Sequence, residues 1–401
     1  MDILILSGRG AGGVRPLAEL VTQLGARPVL LSESPDDPNR DACGLHLVVD
    51  WDTAVLDDVE STLSAAGVTP AAVVNMVESL VPWQVAVSKH YGLPGAAEGR
   101  AILGDKAKVR ALLRELGRST VHAVAGRAGS LDTSGVTAFP VIVKPSRKSG
   151  ASRMVLRADD PAQLRERVAA LAAAEGDDFD VIVEEYLDGV EFSVDGPVVD
   201  GRFVGLFAVE KPDHDEERHH DSGLLVAPPQ TPHVRPAVAT LVDIIGTLCG
   251  AVDLSGLWLH VEGRALADGR VEVLEVNARP GGRLYRAAIL RSCGVDPFWE
   301  TLMMALDRSY TVDCADVRQS EQLYGMRPFD LHETGTVVDS STVDEWLGIE
   351  GVVLGYVQPG FEVTTLHREN IYAEALITAP TLAELRRIAG LVEKTFHVQV
   401  A

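Results

Sequence analysis

The chain has 401 residues, 46% hydrophobic and 23% charged, an ordinary globular composition that at roughly 150 residues per domain makes two or three folded domains and excludes a disordered or disulfide-stapled scaffold. Its 58 acidic residues against 36 basic ones give a net charge of −22, which repels phosphate backbones and anionic bilayers, so neither nucleic acid nor a membrane is an expected partner. Four scattered cysteines without a CxxC pair, an N-terminus with only four consecutive apolar residues, and no apolar run near the ~18 residues of a membrane span point to a soluble cytoplasmic protein with no zinc site and no disulfide framework.

Residues 1–100 alternate short strands (3–6, 28–31, 46–50, 71–75) with helical stretches near 14–24 and 53–66, the pattern of a parallel, doubly wound sheet. Gly8, Gly10 and Gly13 fit GxGxxG between a strand and a helix, and Glu33 follows twenty residues after Gly13. This is the dinucleotide-binding fingerprint. The same glycines also serve a tight strand-to-helix turn in any Rossmann-like unit.

From residue 101 the texture changes. Residues 105–117 place apolar side chains at i, i+3, i+4 and i+7 behind an Asp105 cap and before Gly117, predicting an amphipathic helix. Lys106 and Lys108 stand in its first turn, where the helix dipole disfavours cations. Only seven of the 36 basic residues are lysine, so each is either a tolerated surface charge or a group that faces a bound anion. FPVIVK (139–144) predicts a strand ending in Lys144. It is followed by a small-residue loop with Ser149, Gly150, Ala151 and Ser152, a flap whose backbone N–H groups suit phosphates. No Gly-Lys-Ser/Thr occurs, so this is not a Walker A loop. A helix capped at Asp160-Pro161 and a strand at 181–189 complete a small α+β unit over 118–187.

Residues 256–282 read as two strands joined at Asp268-Gly269, the preferred dipeptide of a two-residue hairpin turn. That register sets Glu262 opposite Glu275 and His260 opposite Asn277. Opposed carboxylates destabilise a sheet unless a cation lies between them or one is protonated. Two carboxylates and an amide oxygen are hard ligands suited to Mg²⁺. A glycosidase-like acid pair is the competing chemistry, and Asn277 and Arg279 beside the pair favour a metal–phosphate site.

These features come in a telling order: Lys106 opening a helix, Lys144 before a flap, Glu184-Glu185-Tyr186-Leu187, Glu191, Glu262, then Glu275-Val-Asn277-Ala-Arg279. Over about residues 1–300 this closely resembles the ATP-grasp superfamily of carboxylate–amine ligases, most of all the L-amino acid (dipeptide) ligases. The resemblance implies an α/β and α+β multidomain fold: a Rossmann-like domain (1–100), an ATP-grasp domain (101–300) with a lid (118–187), and a C-terminal α+β domain (301–401).

It also implies roles. Lys106 and Lys144 would contact ATP phosphates under the flap, Glu184 to Leu187 would form the adenine hinge, and Glu191 would hold the ribose. Glu262, Glu275 and Asn277 would bind Mg²⁺, or Mn²⁺ in its place, and Arg279 would face the transferring phosphate. The family's first domain binds no nicotinamide. Met154 departs from many relatives, which carry glycine there, so flap geometry and metal stoichiometry stay open.

The polar, histidine-rich stretch 210–230 reads as a substrate loop. Lys211, Arg218, His219 and His220 are candidates for a substrate carboxylate, as is Arg283 after Gly282, while Glu78 and Trp83 are candidates to reach the site from the first domain. The expected partners are a small acid and an amine, both amino acids by resemblance, with a homodimer as in many relatives. Purine-biosynthesis and biotin-carboxylase-like enzymes compete within the superfamily. Outside it stand a nicotinamide oxidoreductase using Gly8, Gly10 and Gly13, and a non-catalytic ATP-binding module.

Overall fold

A computed structural model describes residues 1–8, 11–147, 150–315 and 317–401; Gly10 of the glycine motif and Ser149 of the flap lie outside the described residues. The first hundred residues build four parallel strands, Asp2–Leu6, Arg27–Ser32, Leu45–Val48 and Pro70–Asn75, in the spatial order third, second, first, fourth. Nearly unbroken apolar strands suit a sheet buried on both faces. Leu17 and Val21 of helix Val14–Gln23 cover one face, and Val59 and Leu63 of helix Leu56–Ala65 cover the other. Gly13 starts its helix at φ 87°, and a Cβ there would come within 3.3 Å of Met76 and of Phe298. Protein packs against the glycine turn, which favours the simple Rossmann-like turn over a nicotinamide site.

Strands Ala123–Arg127, Asp180–Glu185, Val141–Pro145 and Leu156–Ala158 form a separate antiparallel sheet in that order. Helix Pro161–Glu175 packs on it, its first turn capped by the Asp160 carboxylate, which accepts from the Ala162 and Gln163 N–H groups. This small sheet-and-helix unit is the one read as a lid from the sequence.

That main sheet runs Val271–Asn277, Leu257–Leu266, Gly189–Val199, Phe207–Lys211, Leu225–Ala227, Leu323–Asp330, Ile371–Ala379, Val352–Val357, antiparallel throughout. Its last three strands come from the C-terminal part of the chain, so one sheet joins the two halves. Residue 300 lies inside helix Pro297–Leu306, whose Phe298, Leu302 and Ala305 enter the core of the first domain.

Helix Val234–Ala251 corrects one sequence-level expectation. It spans 18 residues at a mean hydropathy of 1.4, long and apolar enough by that measure to cross a membrane. Its Leu241, Ile245 and Leu248 are buried against Phe192, Leu257 and Val261 of the main sheet, and it carries Arg235 and Asp243. It behaves as a core helix.

The hairpin turn also differs. Leu266 N–H donates to the Arg270 carbonyl, so the loop has three residues rather than two, and a bulge between Glu262 and Gly263 restores the register. Leu274 is the extra residue. The two departures cancel, and Glu262 faces Glu275 while His260 faces Asn277.

Candidate active site

The two phosphate-candidate lysines are set by one knot of hydrogen bonds. Ser146, two residues after Lys144, gives its hydroxyl to Asp105 Oδ1 (2.8 Å), accepts the Ala107 N–H on that hydroxyl, and accepts the Lys106 N–H on its carbonyl (2.9 Å). Asp105 meanwhile caps the helix through the Lys108 N–H. The end of the lid strand and the start of helix Lys106–Glu115 are thereby locked together.

Both lysines are buried and paired. Lys144 Nζ lies 2.6 Å from Glu184 Oε2, and Arg110 Nε donates to Glu184 Oε1 at 2.6 Å. Burial would raise the Glu184 pKa, but Lys144 and Arg110 outweigh it and hold the carboxyl down at about 2. Lys106 Nζ lies 3.0 Å from Glu275 and 3.7 Å from Glu78. Burial opposes its charge, and these two acids overcome that and raise it. Glu78 itself is pushed up to about 7 by burial and by neighbouring Glu275.

These groups open on a cavity of about 300 Å³. Of the described residues assigned to the ligase site from the sequence, all line it except Trp83, Arg218 and His220. The donors Glu262, Glu275 and Asn277 present only oxygen ligands from adjacent strands. The Asn277 amide sits 3.3 Å from both Glu78 Oε2 and Glu275 Oε1, contacts it satisfies with its NH₂ group when no cation is there. Oxygen-rich and lacking sulfur or ring nitrogen, this donor set fits Mg²⁺.

The RPGG turn that carries Arg279 is anchored by fully buried Asp195. Asp195 Oδ1 accepts the Gly281 N–H (2.9 Å) and the Trp258 indole N–H (3.2 Å), while Oδ2 meets His260 Nδ1 at 2.6 Å. Burial works against the His260 cation, but Asp195 and Glu262 raise it to about 9. Arg279 itself donates only to the neighbouring Pro280 carbonyl (2.9 Å) among the hydrogen bonds of the described residues, leaving most of its guanidinium toward the cavity.

At the other end of the cavity, Arg264 donates to the Leu187 carbonyl (2.8 Å), to Glu216 (3.0 Å) and to Glu191 (3.3 Å). It ties the 184–187 hinge to the carboxylate proposed for ribose. Tyr186 adds a hydrogen bond to Glu216 and lies under the Arg157 guanidinium, 4.5 Å from its ring centroid.

The histidine-rich loop departs most from expectation. Lys211 Nζ donates to Glu262 (2.8 Å) and Glu191 (2.9 Å) and forms an ion pair with Asp221 (3.0 Å), so it is a shared counter-ion rather than a free carboxylate binder. Arg218 is half-exposed and caps its own loop through Asp215 (2.9 Å). His220 turns away from the cavity to Asp330 (2.6 Å). His219 does line the cavity, but burial lowers its pKa to about 4, and a neutral imidazole is not a cation for a carboxylate. Trp83 packs on Trp51 instead, at 5.4 Å between ring centroids.

Several site residues escaped the sequence reading. Arg264 was within reach of it, since it follows Glu262 by two on one strand face. Asp221 and His214 sit in the recognised loop but carry no spacing signal. Arg110, Asp195 and Glu369 act across 74, 65 and 148 residues respectively, and nothing local marks them.

Residues 137–287 match the ATP-grasp domain family. Among curated proteins, D-alanine–D-alanine ligase B of Pseudomonas putida is 29% identical over 199 residues, 47% of this chain and 60% of that enzyme. The match thus spans about three-fifths of that relative's length. Among solved structures, an L-amino acid ligase from Bacillus licheniformis superposes with a TM-score of 0.83 at 18% identity, covering 100% of this chain and 98% of that one. The biotin carboxylase domain of 2-oxoglutarate carboxylase from Hydrogenobacter thermophilus, solved with MgADP and bicarbonate, gives 0.72 at 14% identity over 99% of this chain and 90% of that one. Residues 137–287 are an ATP-grasp domain, and the chain as a whole has the ATP-grasp fold.

Proposed function

We propose that the protein is an ATP-dependent, ADP-forming ligase that joins a small acid to an amine, with amino acids as substrates, as in the two ligases it is similar to. The observation that carries this reading is the convergence of Lys106, Lys144, Arg279 and the opposed Glu262–Glu275 pair on one cavity beneath the flap residues Gly150, Ala151 and Ser152.

In this reading the acid's carboxylate attacks the γ-phosphorus of ATP, ADP leaves, and the amine displaces phosphate from the acyl phosphate. Such chemistry needs positioning and charge neutralisation more than covalent help. Lys106 and Lys144 hold the phosphates, Leu187 and its neighbours seat the adenine, and Glu191 takes the ribose. Lys211, central between Glu191 and Glu262, is the counter-ion that keeps both carboxylates charged. Arg279 stabilises charge that develops on the transferring group. Mg²⁺ held by Glu262, Glu275 and Asn277 would supply neutralisation of phosphate charge. The flap excludes water, which would hydrolyse the acyl phosphate.

A cytoplasmic location, where ATP is abundant and the four unpaired cysteines stay reduced, and a homodimer belong to the same proposal. The test is ADP release with Mg²⁺ and ATP against mixtures of the twenty amino acids, with mass spectrometry for a condensed product and Glu275→Gln as control. Substrate-dependent ADP and a condensed mass, both absent in the variant, support the ligase. Absence of ATP binding in the intact protein overturns it.

A further inference from the structure

The wall of the cavity contributed by the C-terminal part of the chain carries an excess of buried negative charge around a single arginine. Arg283 stands at φ 50° on the RPGG turn. Its guanidinium lies 3.5 Å from Glu374 Oε1, 3.8 Å from Glu369 Oε2 and 3.8 Å from Asp221 Oδ2, all longer than a good charged hydrogen bond. Glu374 is fully buried, and its Oε1 has no hydrogen-bond partner among the described residues. Asp221 shares Lys211 with two other acids.

Glu369 lines the cavity and is nine-tenths buried. Its Oε1 accepts the Asp221 N–H at 2.6 Å, whereas among the described residues its Oε2 has only the distant arginine. Burial and the nearby Asp221 charge push this carboxyl up to about 7 against the pull of Arg283 and Lys211, consistent with a place short of positive charge. Buried carboxylates with unspent lone pairs are costly. A ligand that brings N⁺–H donors relieves that cost, and one that brings only an anion increases it.

The backbone around Glu369 makes its position specific. The Glu369 N–H donates to the Ala151 carbonyl in the flap (2.9 Å), and the Met154 N–H donates to the His367 carbonyl (2.8 Å). The Asn370 N–H donates to Asp330 Oδ1 (2.5 Å), whose other oxygen holds His220. Segment 367–370 is therefore wedged between the flap and the histidine-rich loop, on the same cavity as Arg279 and the Glu262–Glu275 pair.

We propose that Glu369 holds the ammonium group of the amine substrate and accepts one proton from it so that the amine can attack, the second proton leaving with the phosphate as the amide forms, while Arg283 takes that substrate's carboxylate, so that a zwitterionic amino acid is selected as the acceptor. This rests on the ligase reading. It adds a residue outside the matched domain, bonded directly to the flap.

Hydroxylamine separates the two claims, because it is uncharged near neutral pH and traps an acyl phosphate as a hydroxamate without needing an ammonium anchor. Wild type, Glu369→Gln and Glu369→Asp are incubated with Mg²⁺, ATP and amino acid mixtures, with and without hydroxylamine, and amide and hydroxamate are quantified on the same protein. The expected result is an amide-to-hydroxamate ratio at least tenfold lower in Glu369→Gln, with Glu369→Asp in between. An unchanged ratio in both variants overturns the Glu369 role, as does a lowered ratio restored by excess Mg²⁺, which would mark a metal rather than an ammonium site. If wild type forms no hydroxamate with any acid, the ligase reading fails first and this one falls with it.

Discussion

Lys211 Nζ lies 2.8 Å from Glu262 Oε1, and the same ammonium holds Glu191 and Asp221. Lys211→Met leaves three buried carboxylates without their common cation. Removing one side of a buried charge set costs ~3–5 kcal/mol, so the variant is expected to unfold at lower denaturant in nucleotide-free buffer. Its substrate-dependent ADP release is expected to drop by about 10²-fold. Wild-type stability together with wild-type turnover would show that the ammonium carries neither role.

Glu184 joins Lys144 to Arg110 at the floor of the lid. Glu184→Gln strips the shared anion from two buried cations, with an expected destabilisation of about 3 kcal/mol and a raised KM for ATP. Urea denaturation and initial-rate kinetics check the two effects separately. A change in KM alone would mean the pair matters only to nucleotide.

For the metal, Glu275→Gln replaces one of two opposed carboxylates by a neutral amide and weakens a hard-oxygen site. Calorimetric titration with ATP at fixed Mg²⁺ is expected to show binding weakened by about tenfold or more, a change of at least ~1.4 kcal/mol. Mg²⁺-dependent ADP release is expected to vanish. Retention of full Mg²⁺-dependent turnover would remove Glu275 from the metal site.

The buried His219 ring gives a pH signature. Its neighbours His214 and Arg264 add to the burial that lowers its pKa to about 4 from the ordinary 6.5, while Glu216 and Glu191 pull the other way. The unfolded chain binds more protons on this ring between those values. Its stabilising share is therefore full above pH 6.5 and is lost as pH falls toward 4, amounting to at most about 3 kcal/mol. His219→Gln is expected to lose less thermal stability than wild type between pH 7 and pH 4.5. Parallel Tm curves for the two proteins would exclude this linkage.

A backbone test is available at the RPGG turn. A Cβ on Gly281 would come within 2.5 Å of the Tyr285 ring, and the Gly281 N–H is one of the bonds that Asp195 uses to hold the turn. Gly281→Ala is expected to displace Arg279 and to lower turnover by about 10²-fold while the protein still binds ATP. Unaltered kcat would show that the turn tolerates the shift.

The residues expected at the nucleotide end line one cavity, and they could be picked out because they are spaced locally: a lysine at a helix start, another at a strand end, carboxylates at alternate strand positions. The hairpin register was right at Glu262 and Glu275 through two compensating departures, a three-residue loop and a bulge at Leu274, neither of which a turn dipeptide announces. The histidine-rich loop was expected to meet substrate, and its Arg218 and His220 do not line the cavity, since loop side chains are aimed by partners such as Asp215 and Asp330 rather than by a repeating period. Glu369 had no signal at all. Its place depends on the sheet carrying the chain from Leu323–Asp330 to Ile371–Ala379 and back beside the flap.

Because the flap is hydrogen-bonded to residues 367–369, the two halves of the protein are coupled in operation. A chimaera that exchanged residues 323–401 for those of a relative would replace Glu369 while keeping Arg283 and the rest of the cavity wall from the host. It would work only where the donor loop reproduced the two backbone bonds to Ala151 and Met154. Residues 367–370 are thus a face of the cavity with a fixed attachment point on the flap.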